Sequence, residues 1–403
     1  MSPPAGVSIV IPTLRRPSLD PLVRRLDEQL DGAPVPVEVL VVPDPDRSGP
    51  AKARNAGWSA ARHEWVAFLD DDVLPSPDWL AALIRDLDQP PDVGGVQGLV
   101  SVPRSVRPDD WEHNTAGLAR AAWATADMAY RRSALESVSG FDERFPRAYR
   151  EDADLAYRVR RRGWRLVTGT RRTVHPVRPA GRWISLAAQR GNADDALLRR
   201  LHGPDWHERL AAPAGRRHRH AAVVGAGLAA VAFAILARRS AGRPSGAPTG
   251  ATRAGTARAG TARAGTALAA VAGVAWLAGT AEFTAARARQ APGSDPVALL
   301  LTSVLIPPLA IGHWLRGWLR CRGVRPWPYP GAPPPAGAPP ARSGAPPARA
   351  GTASPGPDGA VAASPSSSPS RSVYRHSPRE TASHVRISAA RPAWGPVRRG
   401  AVG

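Results

Sequence analysis

Apolar residues along the first 90 positions form short continuous runs that alternate with leucines at helical spacing. The runs at residues 7–11, 37–42 and 65–69 predict strands buried on both faces. Helices are predicted after each run, the first with Ser18 as its N-cap and the second over Gly49–Arg62. Three such repeats predict an α/β fold with an open parallel sheet and right-handed crossovers. Ligands of such sheets bind beyond the carboxyl ends of the strands.

Weaker patterns continue beyond residue 90. Further strands are predicted at residues 95–102, 124–130, 164–168 and 172–175, and a short helix at residues 133–137. The segment EDADLAYRVRRRG begins with acidic residues, ends with arginines and stops at Gly163, which predicts a helix from Glu151. These elements extend the predicted globular domain over residues 1–205.

Three carboxylates, Asp70, Asp71 and Asp72, directly follow the third predicted strand. Asp70 and Asp72 point the same way on an extended backbone, so both can bind one Mg²⁺ or Mn²⁺ whose other positions take phosphate oxygens. A solvated acidic turn before the next helix is the alternative. Asp44 and Asp46 follow the second strand, so we expect one of them in the same crevice.

Glu151, Asp152 and Asp154 form a second acidic cluster, behind the aromatic segment GFDERFPRAYR. Acidic residues at the start of a helix complement its dipole, and that role alone is one interpretation. Three carboxylates directly behind an aromatic, Gly-containing segment exceed what a helix start needs, so a functional role is the second interpretation.

Charge separates the chain into two parts. Residues 1–205 carry 29 basic and 28 acidic side chains, whereas the remainder carries most of the formal net charge of +21. A balanced first part with clustered acids argues against nucleic-acid binding. The single cysteine, Cys321, excludes an internal disulfide framework and a cysteine-based zinc site. The N-terminal residues do not resemble a signal peptide, so we expect the first part in the cytoplasm.

Several ordered motifs together resemble the family 2 glycosyltransferases of the GT-A fold, of a membrane-associated, actinobacterial type. The motifs are VSIVIPT, GPAKARNAGW, FLDDDVLPSPDWL, GFDERF and EDADLAYRVRRRGW, all within the first 200 residues. The resemblance implies a nucleotide-sugar transferase with a Rossmann-like open sheet. The sequence departs from the family pattern after the second strand, where it reads PDPDRSGP.

The resemblance also implies roles for individual residues. Asp70 and Asp72 would hold the divalent cation, His175 would be a possible third metal ligand or a structural histidine, and Asp152 would be the base. Glu151 and Asp154 are secondary candidates for that base. The implied donor-binding residues are Pro12, Asp44, Asp46, Arg54, Asn55, Asp70 and Asp71.

Elementary chemistry agrees with this resemblance. Displacing a nucleoside diphosphate needs a cation at the leaving group and a base for the acceptor hydroxyl, and one direct displacement inverts the anomeric configuration. A nucleotidyltransferase of related sheet type is one alternative, although it would need a Gly-rich phosphate loop where this chain has PTLRRP. A catalytically silent membrane scaffold is the other.

Three uncharged apolar runs follow, at residues 221–237, 264–281 and 297–315, within a predicted membrane-associated region at 206–325. The preceding segment 182–201 is predicted to lie on the membrane or on the transferase domain. The RAGTA repeat of residues 253–267 is predicted to be a linker, and residues 326–403 a disordered tail. Arginine distribution favours a hairpin of the second and third runs with an exported turn, and a first run that lies in the interface or packs on the hairpin. Three spans with a third run broken at Pro307 and Pro308 into a re-entrant piece are one alternative, and buried soluble helices are another. A lipid-linked or cell-envelope acceptor at the cell membrane would suit this arrangement.

Overall fold

The computed structural model describes residues 4–241 and 252–328. Its strands are β1 (Val7–Thr13), β2 (Val37–Pro43), β3 (Trp65–Leu69), β4 (Leu74–Pro75), β5 (Val93–Ser101), β6 (Asp127–Arg131) and β7 (Arg165–Val174). Its α-helices are α1 (Leu19–Leu30), α2 (Pro50–Ala60), α3 (Trp79–Asp86), α4 (Asp110–Thr115), α5 (Arg132–Glu136), α6 (Glu151–Arg161), α7 (Ile184–Ala188), α8 (Asn192–His202), α9 (Trp206–Arg209), α10 (Arg217–Ala241), α11 (Thr252–Gln290) and α12 (Pro296–Arg320). Short 3₁₀ helices cover Ala116–Arg120 and Gln189–Gly191.

The described residues divide into two compact units. The first contains residues 4–99 and 123–173, and the second contains residues 100–122 and 174–328 apart from 242–251. The predicted domain boundaries at residues 205 and 325 stay a prediction. The predicted disordered tail lies outside the described residues except for residues 326–328.

The first unit is built on a seven-stranded sheet of order β2-β1-β3-β6-β5-β7-β4. β1 pairs in parallel with β2 and with β3, as the buried apolar runs predict. The α/β class is therefore confirmed. The all-parallel prediction is wrong, because β6 pairs antiparallel with β3 and with β5. Strand direction depends on the connections, and hydrophobic runs carry no information about it.

Two local predictions in this unit are also wrong. Ser18 occupies the N-cap position of α1, but its side chain makes no capping hydrogen bond. The two short strands predicted at residues 164–175 are one continuous strand, β7. Thr170 and Arg171, in the middle of β7, donate backbone N–H groups to the carboxylate of Asp86, at 2.8 to 3.1 Å. That partner lies 84 residues away in the sequence, beyond the reach of a local pattern.

The second unit contains the long helices. Three stretches are long and apolar enough to cross a membrane by length and composition: Arg217–Ala241, Arg258–Gln290 and Pro296–Arg320. The linker prediction for residues 253–267 is wrong, because α11 begins at Thr252 and includes the repeat. Alanine and arginine are strong helix formers, and the apolar run that follows lets the helix propagate through the weaker glycines.

Candidate active site

The third strand delivers the acidic triplet. β3 is buried along its whole length and ends at Leu69, so Asp70 to Asp72 form the turn that follows. One carboxylate oxygen of Asp70 and one of Asp72 lie within 4.8 Å of each other. This places two hard oxygen donors where one Mg²⁺ or Mn²⁺ can bridge them, so the residues present fit the predicted cation.

Asp71 points into the protein. Its Oδ2 accepts hydrogen bonds from Thr13 Oγ1 at 2.7 Å and from the Leu14 N–H at 3.2 Å, and its Oδ1 lies 3.3 Å from Arg16 Nη1. The carboxylate therefore fixes the loop that follows β1. Pro12 lies in β1 opposite Val42 of β2. Direct donor contacts by Asp71 and Pro12 stay predictions.

Arg54 connects the triplet to the second acidic cluster. Its Nη2 donates to Asp70 Oδ1 at 2.8 Å, and its Nη1 donates to Glu151 Oε1 at 2.6 Å. The guanidinium is buried, with only 2% of its side chain exposed. Burial alone would lower the pKa of Arg54, but the charges of Asp70 and Glu151 outweigh it and raise that pKa. The Arg54 side chain is thus a permanent cation between the end of β3 and the start of α6.

The three acidic residues that begin α6 have different surroundings. Glu151 is buried, and burial raises its pKa to about 7 although the charge of Arg54 acts in the opposite direction. Asp154 is fully buried and accepts from Arg158 Nε at 2.8 Å. Asp152 is the partly exposed member of the three.

The environment of Asp152 suits a proton acceptor. Burial raises its pKa first, the negative charge of Asp70 raises it further, and the charge of Arg54 opposes both. Backbone N–H groups of Ala153 and Thr125 also lower the pKa by bonding the carboxylate. A carboxylate with a raised pKa is a stronger base than an ordinary surface aspartate.

Asp44 shapes the start of α2. Its carboxylate accepts from Ser48 N, Ser48 Oγ and Gly49 N at 2.8 to 2.9 Å. Burial would raise the pKa of Asp44, yet these hydrogen bonds and the charge of Lys52 lower it. Gly49 has φ of 109°, and a Cβ there would lie 2.9 Å from the Pro146 carbonyl oxygen, so only glycine fits.

Asp46 is exposed at the tip of the same loop. Of the two aspartates that follow β2, Asp44 is therefore engaged in the turn and Asp46 is open to solvent. Which of them contacts the nucleoside stays a prediction.

Asn55 holds the loop that contains the GFDERF motif. Its Nδ2 donates to the Phe141 carbonyl and to Glu143 Oε1, both at 2.9 Å. Its Oδ1 accepts from the Phe141 N–H at 2.8 Å and from Trp58 Nε1 at 2.9 Å. One amide thus fixes residues 140–143 against α2. The predicted role of Asn55 in shaping the nucleotide pocket stays a prediction.

His175 directly follows β7, and its backbone N–H donates to the Ser101 carbonyl at 2.8 Å. The residue belongs to the second unit, whereas Asp70 and Asp72 belong to the first. Its role as a third metal ligand stays a prediction.

Sequence reasoning missed a buried charge network beneath the sheet edge. Asp127 is fully buried at the start of β6 and accepts from Trp79 Nε1, Arg171 Nε and Thr173 Oγ1 at 2.6 to 2.7 Å. Arg171 also lies 3.3 Å from Asp86. Asp127 pairs with Leu69 in the sheet, so this network supports the residue before the acidic turn. A lone aspartate in the apolar stretch ATADMAY was the available signal.

Part of the chain is similar to a known protein family. Residues 33–155 match the family described as glycosyl transferase family 2. A pre-mycofactocin glycosyltransferase of Mycobacterium tuberculosis is 30% identical over 202 residues, which are 41% of this chain and 42% of that protein. The succinoglycan biosynthesis protein ExoO of Rhizobium meliloti is 36% identical over 116 residues, covering 22% of this chain and 33% of that protein. The chain spans less than half the length of these curated relatives.

Solved structures are similar at low identity. The mannosyltransferase PcManGT from Pyrobaculum calidifontis, in complex with GDP-Man and Mn²⁺, is 22% identical, covers 68% of this chain and 87% of its own, and has a TM-score of 0.39. A catalytic domain of Drosophila β1,4-galactosyltransferase 7 is 18% identical, covers 41% and 67%, and has a TM-score of 0.30.

The family match includes β2, α2, β3 and the start of α6, and so contains Arg54, the acidic triplet and Asp152. The open sheet with carboxylates at its strand ends agrees with the GT-A class that the sequence motifs imply. The similarity to glycosyl transferase family 2 over residues 33–155 confirms the resemblance stated from those motifs.

Proposed function

We propose that this protein is a membrane-attached, metal-dependent glycosyltransferase that moves a sugar from a nucleotide-sugar donor to a hydroxyl acceptor with inversion. One observation carries the proposal. Arg54 joins Asp70, beside the proposed cation, to Glu151, which directly precedes the proposed base Asp152. Leaving-group and acceptor chemistry would therefore take place in one crevice. The family 2 match over these residues supports it.

In this proposal Asp70 and Asp72 hold the divalent cation. Bound there, Mg²⁺ or Mn²⁺ would neutralise the charge that develops on the departing nucleoside diphosphate. Arg54 holds Asp70 in place through the 2.8 Å ion pair and adds positive charge beside the cluster. Asp71 keeps the turn rigid through its bonds to the loop after β1.

Asp152 takes the proton from the acceptor hydroxyl. Its two neighbouring acids are engaged, Glu151 by Arg54 and Asp154 by Arg158, and each of these is buried. With one general base and a direct attack on the anomeric carbon, the configuration inverts. No second carboxylate is needed as a covalent nucleophile.

The donor is a nucleotide sugar, and residues around the cluster position it. Asp46, at the exposed tip of the loop after β2, is free to reach the nucleoside, whereas Asp44 organises that loop. Asn55 fixes residues 140–143, which lead to α6 and its acids. These contacts leave Asp46 as the more accessible of the two candidates.

The acceptor is proposed to be a lipid-linked or cell-envelope glycan at the cytoplasmic face of the cell membrane. Within residues 4–241 and 252–328, three helices are long and apolar enough to cross a membrane. Attachment would keep the catalytic domain at high local concentration relative to a lipid-linked acceptor. The two curated relatives are named for different products, pre-mycofactocin and succinoglycan, so neither name defines the acceptor of this chain.

The test is a donor screen with the full-length protein in detergent or nanodiscs. Release of nucleoside diphosphate from a panel of nucleotide sugars is measured with Mn²⁺, with Mg²⁺ and with a chelator. We expect one donor to be turned over only when a divalent cation is present. Turnover that persists in the chelator, or the absence of turnover for every donor, would contradict the proposal.

Asp72→Asn and Asp20→Asn make a matched pair for this screen. Asp20 is exposed at the start of α1, so its neutralisation should leave turnover unchanged. Asp72→Asn should abolish the turnover that depends on the divalent cation.

A further inference from the structure

α12 has two different faces. Most residues of its buried face are small or polar: Ala298, Thr302, Ser303, Ala310 and Gly317, beside the larger Leu299, Ile306 and Pro307. Its opposite face carries exposed leucines: Leu300, Leu301, Leu305, Leu309, Leu315 and Leu319. These side chains are 37 to 52% exposed. A continuous leucine face of this length indicates contact with an apolar medium.

The first half of α12 packs against polar groups. Arg287 of α11 is buried and donates to Thr302 Oγ1 at 2.9 Å and to Ser303 Oγ at 2.7 Å. The same guanidinium forms two hydrogen bonds to the carboxylate of Asp110 in α4, at 3.1 and 2.8 Å. A buried ion pair of this kind belongs outside the hydrocarbon of a bilayer.

The connection between α11 and α12 is tied to the segment that contains α4. Gly293 N donates to the Pro108 carbonyl at 3.0 Å, and Asp110 N donates to Ser294 Oγ at 2.9 Å. Residues 102–126 join β5 to β6 of the sheet. These hydrogen bonds keep the start of α12 on the same side of a membrane as α4. The sequence-based prediction that this turn is exported stays a prediction.

The second half of α12 packs against α8. Gly317 touches the Ala193 backbone so closely that a Cβ would not fit, and Arg200 Cζ lies 5.1 Å from the Trp318 ring centroid. The Trp327 N–H, beyond the end of α12, donates to the Leu201 carbonyl at 3.1 Å. α8 carries charged residues in its first and last turns, so a polar helix accompanies the end of α12 as well.

Contacts with the other two long helices give the direction of α12. α10 and α11 run antiparallel. Gly265, in the first half of α11, lies against Ala237 near the end of α10, and the His220 and Phe283 rings are 4.9 Å apart where α10 begins and α11 approaches its end. At this same end Arg217 Cζ lies 5.1 Å from the Trp314 ring centroid, while Arg287 contacts Ser303. Ser303 and Trp314 are about 16 Å apart along the axis of α12. α12 therefore crosses the end of the α10–α11 pair.

We propose that α12 is an interfacial helix that lies along the membrane surface, with its leucine face in the acyl boundary and both of its ends on one side. The partner of this surface is the lipid bilayer itself. A spanning α12 would carry the Arg287–Asp110 pair, which contacts Thr302 and Ser303 inside the helix, toward the hydrocarbon. The inference rests on the proposed membrane attachment and is independent of the transfer reaction.

The test compares the two ends of α12 in the full-length protein. Pro292→Cys and Gly323→Cys, both exposed positions, are made singly in a Cys321→Ala background. Sealed membrane vesicles are treated with an impermeant maleimide before and after permeabilisation. We expect the two positions to be labelled from the same side. Labelling from opposite sides would overturn the proposal, as would loss of the protein from carbonate-washed membranes.

A depth measurement supplies a second readout. Leu309→Cys, near the middle of α12, is labelled with an environment-sensitive fluorophore and reconstituted in vesicles of phosphatidylcholine brominated at different chain depths. An interfacial helix should be quenched most by bromine near the headgroup. Strongest quenching by bromine near the chain end would place this residue at the bilayer centre and contradict the proposal. Neither readout uses transferase activity, so their failure leaves the proposed reaction untouched.

Discussion

Arg54 and Glu151 form a buried ion pair, with Nη1 and Oε1 2.6 Å apart and both side chains at most 3% exposed. The pair joins α2 to α6 across 97 positions of sequence. Buried pairs of this kind contribute little net stability when intact, because desolvation offsets much of the attraction. Removing one partner is different, since it leaves an unpaired buried charge.

Arg54→Leu should therefore destabilise the protein by about 3–5 kcal/mol, because Glu151 and Asp70 would both lose the guanidinium that pairs them. Urea unfolding of the detergent-solubilised protein measures this difference. The matched control is Arg165→Leu, which breaks the more exposed 2.7 Å pair with Asp92 and should cost about 1 kcal/mol or less. Similar losses in the two variants would contradict a special role for the buried pair.

Asp70→Asn and Asp72→Asn should each abolish cation-dependent binding of nucleoside diphosphate. The reason is that their carboxylate oxygens lie within 4.8 Å and are the proposed ligands. Calorimetry with Mn²⁺, with Mg²⁺ and with a chelator measures the binding. Undiminished binding in the chelator would rule out the cation site, and Asp20→Asn provides the unaffected control.

Asp152→Asn should lower kcat by roughly 10²-fold or more, the usual scale for loss of a general base, while donor binding stays nearly intact. Single-turnover kinetics and donor calorimetry separate the two effects. Asp154→Asn is the contrasting variant, because it removes the buried 2.8 Å ion pair with Arg158 and should lower stability as well as rate. If Asp152→Asn loses donor binding in parallel with rate, a structural role replaces the catalytic one.

Stability should fall as pH rises from 4.5 to about 7 on account of Glu151. Burial raises its pKa in the folded protein to about 7, from an ordinary value of 4.5. The folded state thus binds the proton more tightly than the unfolded state, so this contribution is fully present below pH 4.5 and is lost as pH approaches and passes 7. Urea unfolding across pH 5 to about 8 measures it. Glu151→Gln should flatten this dependence, and an unchanged slope in that variant would assign the effect to another group.

The sequence predicted β1, β2 and β3 nearly to the residue, because each is a continuous apolar run that ends at a polar or proline position. It also placed the acidic triplet at a strand end. It could not distinguish Glu151, Asp152 and Asp154, because their surroundings depend on partners that lie on other turns and elements. Arg54 of α2 pairs with Glu151, and Arg158 on the next turn of α6 pairs with Asp154. Asp152 is therefore the accessible acid of the three.

Dependence on distant partners also explains why the position and direction of β6 in the sheet could not be predicted. Hydrophobic pattern shows that residues 124–130 are buried, but it does not show that β6 lies between β3 and β5 in antiparallel direction. Asp127 illustrates the point, since its three side-chain partners come from α3 and β7. Tertiary partners of this kind leave no periodic trace in the sequence.

The strand order also dictates when the sheet can close during synthesis. β3 pairs with β1 as soon as residue 69 is available, but its other edge is covered by β6, which ends at Arg131. Until then the buried strand Trp65–Leu69 presents unpaired backbone groups and five apolar side chains. An open, apolar edge of this kind is a template for pairing with other chains. Any fragment that ends before residue 131 should therefore aggregate, and expression of shortened forms should begin from fragments that include β6.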